Sequence, residues 1–187
     1  MRQILATLSV LFAALLPVRA PAQAAAATPP EAADPQAFTT DDRAVGTVTD
    51  YLARMKVSCE RNAEFKYPVL DFSTTLTNAT HQVRIVIDTK RAVVYIFLNR
   101  YLMVPDGSPN RDAFLRGLMK KNWDLNIGKF EWDPSDGEVR YSYSFSTENG
   151  VGFEAFRAVV ATLLSSGDKL LPELKELAET GKPAETK

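Results

Sequence analysis

The chain has 187 residues, of which 45% are hydrophobic, and its formal charge at pH 7 is −1. This length supports one well-buried core and is short for two ordinary domains. A near-neutral chain without clustered Lys and Arg argues against a nucleic-acid partner, because binding to phosphates needs a local excess of positive charge. The sequence therefore predicts one domain that does not bind nucleic acid.

The N-terminus has the pattern of an export signal. Arg2 precedes an apolar run from Ile4 to Leu16, and small residues follow this run. The run is about 13 residues long, whereas a membrane-spanning helix needs about 20. We therefore expect cleavage after Ala24 or Ala20. The mature protein would then lie in the bacterial periplasm or outside the cell, with no integral membrane span.

Composition also predicts the boundaries of the leader, the folded domain and the tail. Residues 25–39 are rich in Ala and Pro and lack periodicity, which predicts a disordered leader. The folded domain is expected over residues 40–179, and residues 180–187 are expected to form a disordered polar tail. Cys59 is the only cysteine, so no intrachain disulfide can form. We interpret it as a small buried or loop residue rather than a reactive thiol or an intermolecular bridge.

The first half of the domain is predicted to be one helix followed by three strands. Thr40 or Asp41 can cap a helix whose apolar residues recur at helical spacing as far as Lys56. Residues 65–76, 82–88 and 92–98 are rich in β-branched and aromatic residues or alternate in polarity, which is typical of strands.

The third of these strands leads to the hypothesis of a homodimer. Residues 92–98 are apolar on both faces, so the strand belongs at the centre of the sheet or at a subunit interface. A chain this small has few helices with which to cover both faces. The residues expected to contribute to self-association are Ala92, Val94, Ile96 and Leu98.

The second half of the domain is predicted to contain a helix, a β-hairpin and a final helix. Ser108 and Pro109 resemble an N-cap and a first helical position, and this helix should end near Asn122. Residues 128–133 and 139–145 alternate in polarity around the turn sequence Asp-Pro-Ser-Asp-Gly. The final helix follows Gly150. It is expected to turn at residues 166–168 and to resume afterwards.

The hairpin and the final helix should pack against each other through their apolar faces. The residues expected to form this core are Phe130, Trp132, Tyr141, Tyr143, Phe145, Phe153, Phe156 and Val160. The same aromatic row could instead form an open stacking platform for glycans or single strands, but an apolar helix stripe so close by favours a core. The predicted class is a single α+β domain with an antiparallel sheet packed against helices, in the order α-β-β-β-α-β-β-α.

Residues 122–137 and 141–145, the latter followed by the Phe153 helix, resemble the YbjN family, which is described as bacterial sensory transduction regulators. The element order is similar over roughly Asp41 to Leu174. The resemblance implies the α+β sandwich shared with type III secretion chaperones, and a regulatory or chaperone-like role in binding another protein. It implies no catalytic residue.

Few residues suggest chemistry. His81 is the only histidine, and no nucleophile-elbow glycines surround a candidate serine or Cys59 with which it could form a catalytic pair. We therefore interpret His81 as an exposed residue at the start of a strand. Acids cluster around the hairpin turn at Glu131, Asp133, Asp136 and Glu138. Such acids could hold calcium or act on a sugar, but their spacing lacks a regular calcium loop and a plain turn needs the same residues.

The sequence therefore predicts no catalytic, cofactor-binding or metal-binding residue. We expect an exported, non-enzymatic module that presents a groove or a sheet edge to an unknown protein partner, with a homodimer as a further expectation. The alternative is an envelope hydrolase that uses the acids of residues 131–138.

Overall fold

The computed structural model describes residues 32–182. The export signal predicted over residues 1–24 lies outside the described residues. So do residues 25–31 of the predicted leader and residues 183–187 of the predicted tail.

Six strands form one antiparallel sheet, which three α-helices cover on one face. The sheet order is β1-β2-β3-β4-β6-β5. A short 3₁₀ helix, Pro35–Phe38, precedes the other elements, which are α1 (Asp41–Arg54), β1 (Glu60–Arg61), β2 (Val69–Thr75), β3 (Thr80–Asp88), β4 (Val93–Met103), α2 (Arg111–Asp124), β5 (Lys129–Trp132), β6 (Glu138–Ser146) and α3 (Phe153–Thr180). The predicted α+β class is confirmed. The two-residue β1 was not predicted, because it is too short to carry a pattern.

The register of the sheet separates an apolar face from a polar one. On the helix-covered face, Phe72 lies opposite Val83, Val83 opposite Leu98, and Leu98 opposite Tyr141, which in turn faces Phe130. All of these side chains are buried in one core. The neighbouring row, which starts at Asp71 and Arg84, points to the opposite face, as period-two geometry requires.

The predicted core residues lie at the contact between the hairpin and α3. Five of them are buried, namely Phe130, Tyr141, Phe153, Phe156 and Val160. The other three, Trp132, Tyr143 and Phe145, are half-buried and pack against the same core. The ring centroids of Phe130 and Tyr141 are 4.6 Å apart and those of Phe145 and Phe156 are 6.3 Å apart.

Residues 35–38, which belong to the predicted disordered leader of residues 25–39, form a helix. The Asp34 side chain accepts a hydrogen bond from the amide of Gln36 at 2.8 Å and caps the 3₁₀ helix that starts at Pro35. Phe38 is 5% exposed and belongs to the core. The prediction was wrong for these residues, because composition alone does not show that one aromatic side chain anchors an Ala/Pro-rich segment.

The final helix is continuous, so the turn predicted at residues 166–168 was wrong. Gly167 lies inside α3 for a packing reason. A Cβ atom there would lie 2.4 Å from Cδ1 of Leu98. The glycine therefore brings the helix close to the sheet and does not reverse the chain.

Helix α2 starts at Arg111, two residues later than predicted. Asn110 is the N-cap residue, but its side chain makes no capping hydrogen bond. Its Nδ2 instead donates to the carbonyl oxygens of Ala178 at 3.4 Å and Glu179 at 2.6 Å. The start of α2 is thereby held at the end of α3.

Gly137 generates a stability prediction. Its φ is +80°, and a Cβ atom would lie 2.7 Å from the backbone of Pro105. We expect Gly137→Ala to lower the free energy of unfolding by roughly 2 kcal/mol through left-handed strain and overpacking, measured by urea denaturation. Gly107→Ala is the matched control, because no atom lies within 4 Å of a Cβ there. Equal midpoints for the two variants would contradict the prediction.

Candidate binding surfaces

Asp133 and Asp136 are the two acids within the hairpin turn, and both accept hydrogen bonds from its backbone. Asp133 accepts hydrogen bonds from the amide and hydroxyl of Ser135, at 2.9 and 2.6 Å. Asp136 accepts from the amide of Glu138 at 2.9 Å. These contacts are typical of Asx turns, so they account for both acids without a ligand.

Glu131 on β5 and Glu138 on β6 each form polar contacts on the face of the sheet that no helix covers. Glu138 is 4% exposed, pairs with Arg140, and accepts from the amide of Arg100 at 2.7 Å. Glu131 accepts hydrogen bonds from the hydroxyls of Tyr95 and Ser142. Glu131, Asp133 and Glu138 line one depression together with Arg140, and Asp136 does not, but each of the four carboxylates is held by hydrogen-bond or ion-pair partners of its own.

The pKa values of these acids are shifted in the same direction. Burial disfavours ionisation of Glu138, but hydrogen bonds from Arg140 and Arg100 outweigh it and lower the pKa of the carboxyl. The pKa of Glu131 is also lowered, because Lys129, Tyr95 and Ser142 outweigh its burial. Both carboxyls are therefore favoured in the ionised form, whereas the environments of acid/base pairs typically push the two pKa values apart. Among residues 32–182, no three His, Cys, Asp or Glu side chains are grouped so that they could hold a metal ion.

His81 lies near the start of β3 as predicted, as the second residue of the strand, but it is buried and not exposed. It is 4% exposed, and its ring stacks on Tyr101 with the centroids 6.2 Å apart. Its Nε2 lies 3.0 Å from Oδ1 of Asp168. The same carboxylate accepts from the amides of Asn78 at 3.0 Å and Ala79 at 3.2 Å. Asp168 therefore ties the turn before β3 to the middle of α3, a role that the sequence did not reveal.

The residues predicted for self-association lie mostly inside a single chain. Val94, Ile96 and Leu98 are 1%, 0% and 1% exposed and belong to the core beneath the helices. They have no accessible surface to offer a second copy, which corrects their assigned role. Ala92 is half-buried, with a φ of +51° in the β3–β4 turn. Self-association itself stays a prediction.

Cys59 is half-buried and packs against the core.

One edge of the sheet is closed by a side chain. At β5, the amide of Phe130 donates to Oδ1 of Asn122 at 2.6 Å, and Nδ2 of Asn122 donates to the carbonyl of Phe130 at 3.0 Å. Asn122 near the end of α2 thus takes both outward backbone groups of Phe130, as a further strand would. Such protection discourages pairing with other chains.

The other edge is closed only in part. The amide of Ile87 donates to the carbonyl of Pro68, and the amide of Leu76 donates to that of Ala79. Since antiparallel strands alternate, the even-numbered residues of β2 bond to β3 and the odd-numbered ones point outward. Strand β1 pairs with β2 only as far as Asp71. The outward groups of Ser73 and Thr75 therefore have no strand partner among the described residues.

A depression lies beside this free stretch. Its volume is about 520 Å³, and it separates residues 56–58 from β2. Ser58 would face Ser73 if β1 continued in register, but the ladder stops at Glu60. The depression is lined by Lys56, Val57, Ser58, Glu60, Asp71, Phe72, Ser73, Thr74 and Gln82.

Trp123, whose environment the sequence left open, is 89% exposed on α2. Met119, one helical turn earlier, is 69% exposed. The inner side of the same helix buries Phe114 and Leu118. The two exposed apolar side chains thus lie on the face of α2 that points away from the core.

The fold and its surfaces define a single-sheet α+β protein with one helix-covered face, one closed edge and one partly free edge. The chain belongs to the YbjN family, whose sequence model matches residues 46–176 and which is described as "Putative bacterial sensory transduction regulator". The predicted family membership is confirmed. No curated protein sequence matches the chain.

A solved structure shares this fold. A chain of the crystal structure of the ExsC-ExsE complex superposes with a TM-score of 0.51 at 14% identity, over 78% of this chain and 98% of that chain. A chain of the HopA1-SchA chaperone-effector complex gives a TM-score of 0.49 at 12% identity, over 69% and 93% of the two chains. No helix within residues 32–182 is long and apolar enough to cross a membrane.

The contacts of Asp168 with His81 and with the turn before β3, here called the Asp168 junction, lead to a prediction about stability at different pH values. Burial disfavours the ionised carboxylate, but hydrogen bonds from His81, Asn78 and Ala79 outweigh it and lower the pKa of Asp168. A lowered folded-state pKa stabilises the protein above the unfolded-state value of about 4, and this contribution is lost as the pH falls through the folded-state pKa. Asp168→Asn should therefore be less stable than the wild type near neutral pH.

The difference between the urea midpoints of Asp168→Asn and the wild type should shrink as the pH falls from about 5 to about 3. Asp50→Asn serves as the control, because Asp50 is exposed on α1. A deficit in Asp168→Asn that stays constant down to the lowest pH would show that the ionised carboxylate is not what holds this junction.

Proposed function

We propose that this protein is an exported binding module of the cell envelope that holds an extended segment of a partner polypeptide at the free stretch of β2. The observation that carries the proposal is the pair of outward residues Ser73 and Thr75, which lie beyond the end of β1. Its role would be chaperone-like or regulatory and would not involve catalysis.

The geometry favours the addition of a strand. Ser73 and Thr75 each offer one amide and one carbonyl, and a partner segment in the line of β1 would pair with all four groups. This mode of recognition takes affinity from main-chain hydrogen bonds and specificity from alternate side chains. The depression beside residues 56–58 provides space for those side chains.

The two edges of the sheet differ, and this difference favours β2 over β5 as the edge that binds a partner segment. Asn122 occupies the backbone groups of Phe130 at β5, so an incoming strand is disfavoured there. Unprotected edges tend to pair with other chains, and the free stretch on β2 covers only two outward residues. Such a short edge suits reversible binding of one segment better than extended aggregation.

The comparisons support a binding role. The family description is that of a regulator of sensory transduction. The protein of similar fold in the ExsC-ExsE structure was crystallised in a complex. Export is supported by the signal pattern of residues 1–24.

The edge is tested by removing one outward amide. Ser73→Pro deletes the outward N–H of Ser73 and leaves the inward bonds of Phe72 and Thr74 to β3 in place, and proline is tolerated at such edge positions. We expect binding to peptides selected from an array to weaken by about tenfold or more, because a main-chain bond is lost and the ring blocks the partner strand.

Ser73→Ala, which keeps the amide, is the matched control and should bind as the wild type does. Hydrogen exchange adds a second measurement: the amides of Ser73 and Thr75 should exchange faster than those of Phe72 and Thr74 and become protected when peptide is added. Equal peptide affinity of Ser73→Pro and Ser73→Ala would overturn the edge as the binding site.

Export is tested separately. The full chain expressed in a Gram-negative host should be recovered from the periplasm or the medium, with a mature N-terminus at Ala25 or Pro21. Deletion of residues 2–24 should keep the protein in the cytoplasm. An uncleaved full-length chain in the cytoplasm would contradict export, whereas the edge proposal would still stand on its own binding assay.

A further inference from the structure

The outward face of α2 combines apolar surface with unpaired positive charge. Arg116, Met119, Lys120 and Trp123 are spaced by three or four residues, so they lie side by side on one face of the helix. A helix face turned away from the core is normally polar. An indole that is 89% exposed is the exception on this one.

A cleft between α2 and α3 adjoins the same face. Its volume is about 400 Å³, and Ala113, Gly117 and Leu177 contribute its apolar part. Gly117 allows the two helices to approach closely, since a Cβ atom there would lie 2.2 Å from Cδ2 of Leu177. The polar residues that line the cleft are Arg116, Lys120, Lys121 and Glu173.

The charges of the cleft do not balance. Glu173 is the only acid that lines it, and its carboxylate is 2.7 Å from Nζ of Lys121. Among residues 32–182, no carboxylate forms a salt bridge with Arg116 or Lys120. The cleft and the adjacent helix face thus offer two free cations beside Met119 and Trp123.

We infer that this surface, defined by Arg116, Met119, Lys120, Trp123 and the α2–α3 cleft, binds an acidic segment of a partner polypeptide that carries aliphatic or aromatic side chains. The inference rests on the proposed protein-binding function and assigns it a second contact. Carboxylates of the partner would meet Arg116 and Lys120, and its apolar side chains would cover Trp123 and Met119. Trp and Arg are the residues that most often dominate binding energy at protein interfaces.

Charge and shape disfavour the other occupants. A symmetric contact with a second copy through the same face would bring Arg116 and Lys120 close to their own counterparts, and like charges in an interface are costly. An anionic membrane would also meet Arg116 and Lys120, but it has no side chain that could enter the cleft. The concave cleft also fits a side chain better than a flat bilayer.

Trp123 itself provides the readout. In the Trp132→Phe background it is the only tryptophan, so its emission reports this surface alone. The probes are a panel of 16-residue peptides that combine Leu or Phe with Glu at varied spacing, together with counterparts that carry Gln or Lys in place of Glu. We expect acidic peptides to shift the emission to the blue, with an affinity that falls as salt is added, and we expect their Gln and Lys counterparts not to do so.

Charge reversal tests the cations. Arg116→Glu combined with Lys120→Glu should weaken the acidic peptides by at least about tenfold. The matched control reverses Lys66 and Lys90, which line a separate depression next to the β3–β4 turn, and should leave the affinity unchanged. Circular dichroism of each variant verifies that it is folded.

Several results would overturn the inference. One is the absence of any emission shift with every acidic peptide, and another is equal binding of the Glu and Gln peptides. A shift that appears with phosphatidylglycerol vesicles alone would indicate a membrane surface, and a shift that depends only on protein concentration would indicate a second copy. Loss of peptide binding in Ser73→Pro, without any effect of the α2 charges, would uphold the proposed function and refute this second contact.

Discussion

The packing of α3 along the helix-covered face of the sheet is the interaction on which the rest of the molecule depends. Phe156, Val160, Leu163 and Leu174 are each at most 1% exposed along this 28-residue helix. Each such side chain contributes roughly 1.5–3 kcal/mol when it leaves water. Gly167 sets how closely the helix approaches, and Asp168 fixes its position relative to β3. Two aromatic side chains of the hairpin, Phe130 and Tyr141, are buried in this core, and Trp132, Tyr143 and Phe145 are half-buried against it.

The opposite face of the sheet is occupied by internal polar contacts. Arg84 pairs with Asp71 at 2.8 Å, and Arg140 lies over the ring of Phe97 while it pairs with Glu138. Burial, followed by the hydrogen bond to Glu131, raises the pKa of Tyr95 to about 12, so its hydroxyl stays a donor. Donors and acceptors on this face satisfy one another, and the two proposed binding surfaces lie elsewhere, at the sheet edge and on α2.

The periodic elements could be predicted from the sequence, and the contacts between distant elements could not. Thr40 caps α1 as expected, with its hydroxyl accepting from the amide of Arg43. The alternating strands were equally clear. In contrast, a glycine followed by an aspartate, as at residues 167 and 168, is typical of a turn. Only the contacts of these two residues with Leu98 and His81 show that they hold α3 against the sheet. His81 was misjudged for the same reason, since a lone histidine carries no pattern.

The binding surfaces depend on such contacts even more. Neither the closure of β5 by Asn122 nor the early end of β1 is encoded in a periodic pattern. In the sheet order, β2 and β5 are four strand spacings apart, about 19 Å in all, and α2 packs beside β5. A segment paired with Ser73 and Thr75 would need at least about six further extended residues to reach Trp123. A partner long enough to occupy both surfaces would gain from effective concentration, so two weak contacts would hold it far better than either alone.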